Sequence, residues 1–106
     1  MQQITPTQLF QRLQQADSKP LLLDVREPHE FGYCHIEGSV HMPMNRVFAA
    51  LNELDPVREI VVICHHGLRS AQIANFLISQ GFRKVFNLHG GVAAWANEVD
   101  PRMPTY

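Results

Sequence analysis

The sequence predicts an α/β fold, a parallel sheet with helices packed against it. Three observations point there. Leu21-Leu22-Leu23-Asp24-Val25 and Ile60-Val61-Val62-Ile63 are short apolar runs without alternation, as expected of strands buried on both faces. Segments with helical spacing of apolar residues separate such runs, the pattern of strand-helix-strand units. The 106 residues, 45% hydrophobic and 18% charged, suffice for one globular core. No repeat, linker or low-complexity tract divides them, so residues 1–106 are read as a single domain.

Each element has a local cause. Thr5-Pro6-Thr7-Gln8 opens a first helix: Thr5 caps, Pro6 suits the first helical position, and Gln8 completes a capping box. Ile4 and Leu9 stand where a hydrophobic staple would be, and Leu9, Phe10 and Leu13 form its apolar face. Asp17-Ser18-Lys19-Pro20 ends it. Arg26 to Gly38 is polar, punctuated by Pro28, Gly32 and Gly38, and reads as a loop carrying a short helical turn. Ser39-Val40-His41-Met42 reads as a short strand stopped by Pro43. Val47, Phe48, Leu51 and Leu54 fit a second helix, and Asp55-Pro56 a turn. Ala71, Ile73, Ala74, Leu77 and Ile78 mark a third helix, with Gly81 as its C-terminal cap. Val85-Phe86-Asn87-Leu88 is a strand, and Gly90-Gly91 opens a last helix holding Ala93, Ala94 and Trp95. Pro101 and Pro104 end regular structure, and a mobile tail is expected from about residue 100.

Composition excludes several classes. A net charge of −1 gives no electrostatic reason for a nucleic-acid or membrane partner. Two cysteines, Cys34 and Cys64, are too few for a disulfide scaffold. Met1-Gln2-Gln3 lacks the basic-then-apolar pattern of a secretory signal, and no apolar run nears the roughly 20 residues of a membrane span. A cytoplasmic location is the resulting expectation.

The chemistry concentrates at Cys64-His65-His66-Gly67-Leu68-Arg69-Ser70. A lone thiol ends a buried strand, and a helical pattern starts just after it. Three features there favour a thiolate with an anion beside it. Backbone N–H groups of residues His65 to Ser70 can converge as an anion-binding nest. The helix N-terminus adds roughly half a positive charge. Arg69 adds a full charge on a planar fork. Gly67 permits the tight curl, and Ser70 can donate to the sulfur. In parallel sheets ligands bind outside the carboxyl ends of strands, which puts Asp24 and Cys64 on one edge.

These residues carry a resemblance. Leu22-Leu23-Asp24-Val25-Arg26-Glu27, His29-Glu30-Phe31, His35-Ile36-Glu37-Gly38-Ser39, the Cys64 loop, and Leu88-His89-Gly90-Gly91-Val92-Ala93-Ala94-Trp95, in this order, resemble the rhodanese family of single-domain sulfurtransferases. The resemblance runs from about Ile4 to Tyr106. It implies a rhodanese-like α/β domain with a central parallel five-stranded sheet flanked by helices. It also implies ping-pong transfer of a sulfane sulfur from thiosulfate or a similar donor, through a Cys64 persulfide, to cyanide or a thiol. Related phosphatases of this fold have seven residues from cysteine to arginine, whereas Cys64 to Arg69 is six; the shorter ring favours sulfur over a phosphate monoester or arsenate. No cofactor is expected. The partners expected are the small-molecule donor, the acceptor and a sulfur-relay protein; the rival class is a persulfide carrier loaded by such a partner.

The remaining candidates have plainer readings beside the functional ones. Asp24 orients Arg69 or binds loop amides; equally, it caps the following turn. Arg26 joins a local polar network with Glu27, or touches substrate. His65 and His66 line the pocket mouth in the family and would tune donor choice. His35 is expected to satisfy buried backbone groups. Cys34 stands where the family usually has glycine, and is a packed thiol or a resolving one. Gly90, Gly91 and Trp95 read as structural. Cys34-His35, Cys64-His65-His66 and His89 match no regular zinc spacing, so no metal is expected.

Overall fold

The computed structural model describes residues 1–15, 17 and 19–106; Ser18, within the expected helix-ending turn, lies outside the described residues. The chain runs β1 (Gln2–Ile4), α1 (Pro6–Leu13), β2 (Leu21–Asp24), α2 (Pro28–Tyr33), β3 (Val40–His41), α3 (Met44–Ala49), a 3-10 turn (Leu51–Glu53), β4 (Ile60–Ile63), α4 (Leu68–Ser79), β5 (Val85–Leu88) and α5 (Gly91–Glu98). The five strands form one parallel sheet in the order β1-β5-β4-β2-β3. No helix among the described residues is long and apolar enough to cross a membrane.

The two unalternating runs are the middle of this sheet, and their burial explains their composition. Leu23, Val25, Ile60 and Val62 face one core, with Val47 of α3 and Ile73, Ala74 and Leu77 of α4. Leu22, Val61 and Ile63 face the other, with Leu9 of α1 and Val92, Trp95 and Ala96 of α5. A strand with a core on each side has no solvent face to make polar.

The first helix starts as its sequence predicts: the Gln8 N–H donates to Thr5 Oγ1 (3.1 Å) and the Thr5 N–H to Gln8 Oε1 (2.9 Å). The end of α4 is equally regular. Gly81 takes φ +94°, and the Phe82 N–H donates to the Leu77 carbonyl. Two expectations need correction, and one strand is unforeseen. β1 has no signal in the local pattern, because its three residues are partly exposed and it is held by pairing with β5. Phe10 and Phe48, read as apolar-face residues, are exposed. The second helix is α3 followed by a 3-10 turn, and this break lets Leu54 reach the core.

Candidate active site

Cys64 follows the last residue of β4 with its side chain buried, and the chain then curls through residues 65–67 into α4. Gly67 makes the curl possible: its φ is +100°, and its N–H turns back to donate to Cys64 Sγ at 3.0 Å. The sequence reading has a ring of loop amides from His65 to Ser70 around the sulfur. Among the described residues, Gly67 alone makes that bond.

The other loop groups are anchored outward. The carbonyl of Cys64 accepts from the Val92 N–H (2.9 Å) and that of His65 from the Ala93 N–H (3.1 Å). The N-terminal turn of α5 therefore holds the back of the loop, using donors that a helix start leaves free. Gly91, at φ +61°, makes this approach possible; a Cβ there would overlap both carbonyl oxygens. The Gly67 carbonyl accepts from Asn87 Nδ2 (3.2 Å).

Asn87 is a site residue that the motifs do not reveal. Its only signal in the sequence is a polar residue inside an apolar strand. It is buried, donates to Gln3 Oε1 (3.0 Å) and accepts the Ser70 hydroxyl proton at Oδ1. Ser70 Oγ lies 3.2 Å from Cys64 Sγ. With its one proton on Asn87, Ser70 offers the sulfur a lone pair and accepts the thiol proton. To serve a charged sulfur, the hydroxyl must turn its proton from Asn87 to Cys64.

Arg69 does not present an open fork. Its two terminal nitrogens donate to the Glu30 carboxylate of α2 (2.7 and 2.9 Å), so Glu30 occupies the oxyanion position that the sequence assigns to a donor. These bonds from Arg69, above all, hold the Glu30 carboxyl down at about 2, well below the usual carboxylate range. Glu30 also accepts from the Tyr106 hydroxyl (2.9 Å).

Asp24 does not orient Arg69; it caps the turn and pairs with Arg26. Its Oδ1 accepts the Arg26 N–H (3.1 Å), and its carboxylate binds the Arg26 guanidinium (2.8 Å), both side chains fully buried. Arg26 also donates to the Cys34 carbonyl (2.6 Å) and to Tyr106 Oη (2.7 Å). Burial works against its charge, but the Asp24 and Tyr106 hydrogen bonds outweigh it and the net shift is upward. Arg26 is thus part of the polar network and is closed to substrate.

His35 is exposed and separate from the loop. Its Nδ1 donates to the Phe31 carbonyl (2.8 Å) at the end of α2, and its ring stacks on Phe31, whose other neighbour is His41. Cys34 is buried in the core opposite to that of Cys64, with its sulfur 3.9 Å from Arg26 Nη1. The structure therefore does not bring Cys34 to Cys64.

His65 and His66 stand at the mouth, ring centroids 3.9 Å apart, and the Tyr106 ring stacks on His65 at 3.8 Å. Burial lowers the His65 imidazole below its ordinary value, and the neighbouring His66 adds to this. Leu68 and His66 are exposed at the rim. Among the described residues no three of His, Cys, Asp and Glu gather as a metal-binding group.

A buried thiol, capped by the Gly67 amide, thus opens a six-residue turn to Arg69 at the carboxyl end of a parallel strand. The rhodanese-like domain family matches residues 5–98. This chain belongs to the rhodanese family. It is 36% identical over 105 residues to the thiosulfate sulfurtransferase GlpE of Haemophilus influenzae, covering 98% of this chain and 96% of that protein. It is 38% identical over 91 residues to YrkF of Bacillus subtilis, a proposed sulfur carrier protein, covering 86% of this chain but 49% of that one. Some relatives are longer still; the chain spans 30% of one of them. The fold matches a rhodanese-like domain protein from Staphylococcus aureus with TM-score 0.82 and 28% identity, over 100% of this chain and 99% of the other. The rhodanese fold accounts for the parallel sheet and its flanking helices, and its sulfurtransferase relatives support sulfur-transfer chemistry as the general class.

Proposed function

We propose that this rhodanese domain is a sulfurtransferase with Cys64 as nucleophile. One observation carries the reading: Cys64 Sγ, at the end of β4, receives the Gly67 N–H at 3.0 Å and has the Ser70 hydroxyl at 3.2 Å, inside a turn of six residues to Arg69. Donors so placed suit a charged sulfur. The Cys64 thiolate attacks the outer sulfur of thiosulfate, the sulfur–sulfur bond breaks, and sulfite leaves with its electron pair. Cys64 then carries a persulfide anion. Cyanide or a thiolate attacks the terminal sulfur, thiocyanate or a new persulfide departs, and the Cys64 thiolate returns. The loop's N–H and hydroxyl donors stabilise charge on the sulfur in both half-reactions.

The test is direct. Cys64→Ser is expected to keep the fold and to abolish thiocyanate formation from thiosulfate and cyanide. Wild-type protein treated with donor should gain the mass of one sulfur atom on Cys64. Reduced, folded protein whose Cys64 stays unmodified overturns the reading. The sulfur-carrier relative supports a second version, in which a partner protein loads Cys64 and small anions are poor donors. Faster loading from a desulfurase than from thiosulfate selects that version.

A further inference from the structure

The residues after α5 lie against the active-site edge. Met103 is buried in the core beside Trp95, and the Thr105 carbonyl accepts from Tyr33 Oη (3.2 Å). Tyr106 then reaches three separate parts of the site. Its hydroxyl accepts from Arg26 Nη1 (2.7 Å) and donates to Glu30 Oε2 (2.9 Å). Its ring lies flat on His65, 3.8 Å between centroids and 10° between planes. Glu30, in turn, holds both terminal nitrogens of Arg69.

We infer that Tyr106 is a positioning residue of the Cys64 site: its hydroxyl ties the Glu30–Arg69 pair to the buried Asp24–Arg26 pair, and its ring fixes His65 at the mouth. The hydroxyl has one proton and lone pairs, and here both are used: Arg26 can only donate and ionised Glu30 can only accept. That fixes the direction of the chain Arg26–Tyr106–Glu30–Arg69. Glu30 is thereby held with its carboxylate plane toward Arg69, and the guanidinium beside the loop has one orientation instead of several. The ring acts separately. Stacked on His65, it removes water from one face of the imidazole, and burial holds that imidazole below its ordinary value. The other groups bearing on His65 are His66 and Arg69, which lower it, and the Tyr106 backbone and Glu30, which raise it. An anionic donor then meets an Arg69 held in one orientation with its terminal nitrogens on Glu30, and a His65 held below its ordinary value.

Two variants separate the two contacts. Tyr106→Phe keeps the ring and loses the hydroxyl; Tyr106→Ala loses both. Resting on the sulfurtransferase reading, Tyr106→Phe is expected to raise the KM for thiosulfate about fivefold, the net worth of one ordinary hydrogen bond, with kcat little changed. Alkylation of Cys64 by iodoacetate relative to iodoacetamide compares an anionic with a neutral probe, and this ratio should fall in Tyr106→Phe. The His65 titration, followed by NMR, should stay low in Tyr106→Phe and rise toward the ordinary value of about 6.5 in Tyr106→Ala. The alkylation ratio and the titration need no sulfur transfer, so they decide the Tyr106 assignment even in a protein that forms no persulfide. A wild-type alkylation ratio in Tyr106→Phe together with an unmoved His65 in Tyr106→Ala overturns it.

Discussion

The Glu30 carboxylate accepts four donors, two from Arg69, one from Tyr106 and the Glu27 N–H, and its consequences can be worked out at the scale of that one residue. Its pKa falls from 4.5 to about 2, chiefly through the Arg69 hydrogen bonds. A depressed carboxylate adds stability that is fully present above its unfolded pKa and is lost as pH falls from 4.5 through 2. At about 1.4 kcal/mol per pKa unit the gain would be about 3 kcal/mol. Arg69 is 34% exposed, and solvent screening reduces the gain to roughly 1–2 kcal/mol. Glu30→Gln is therefore expected to lower unfolding free energy by that amount at pH 7, and urea melts should show wild type and variant converging as the pH approaches 2. A gap that is the same at both pH values would refute the ion-pair account. The sequence places Glu30 in the first turn of a short helix, but its partner lies 39 positions away. Pairing across that separation depends on how α2 and α4 meet, which local pattern does not encode. Asn87 and Tyr106 were hidden for the same reason: each acts through residues distant in the chain.

The Cys64 turn is shaped by two helices, and its strictest requirement is at the start of α5. The N–H groups of Val92 and Ala93 hold the carbonyls of Cys64 and His65, which is possible only while Gly91 carries no side chain. Gly91→Ala forces a methyl group against those two oxygens and a side chain into φ +61°. Overpacking of this kind costs typically ~1–3 kcal/mol, and the left-handed backbone adds about 1. The expected result is a thermal midpoint lower by several degrees and a fall in Cys64-dependent sulfur transfer larger than the unfolded fraction explains. Circular dichroism and turnover measured on the same sample would compare the two; activity falling only in step with folded protein would show that α5 does not shape the loop. At this scale much was legible. The capping box at Thr5, the stop at Gly81 and the two central strands follow from adjacent residues. β1 was not, since Gln2 and Gln3 are exposed and only their parallel pairing with Phe86 and Asn87 makes them a strand. The sequence reads Gly91 as a tight helix entry; its contact with the Cys64 loop needs the sheet order β1-β5-β4, which sets β5 and the following helix beside the end of β4.

Across the whole molecule, the Asp24–Arg26 pair is the polar junction of the active edge. Both side chains are 0% exposed. Through Arg26 the pair joins the end of β2 to the Cys34 carbonyl after α2 and to Tyr106 beyond α5. An apolar contact in that place would be indifferent to rotation, whereas five guanidinium donors in a fixed plane match a limited set of acceptors. The sequence shows Asp24 and Arg26 two residues apart at a strand end, which supports a turn cap; that the pair is wholly enclosed depends on segments arriving from both ends of the chain. The two charges should therefore matter together. Asp24→Asn leaves a buried guanidinium without its counter-charge, and the expected loss is about 3–5 kcal/mol. The double variant Asp24→Leu/Arg26→Met removes both charges. It should recover part of that loss while leaving the Cys34 carbonyl unpaired at a cost of about 1–3 kcal/mol. Urea midpoints of wild type, single and double variants measure the order directly: wild type highest, Asp24→Asn lowest, the double variant between. If Asp24→Asn matches wild type, the pair is not a junction, and the edge is held by the two apolar cores alone.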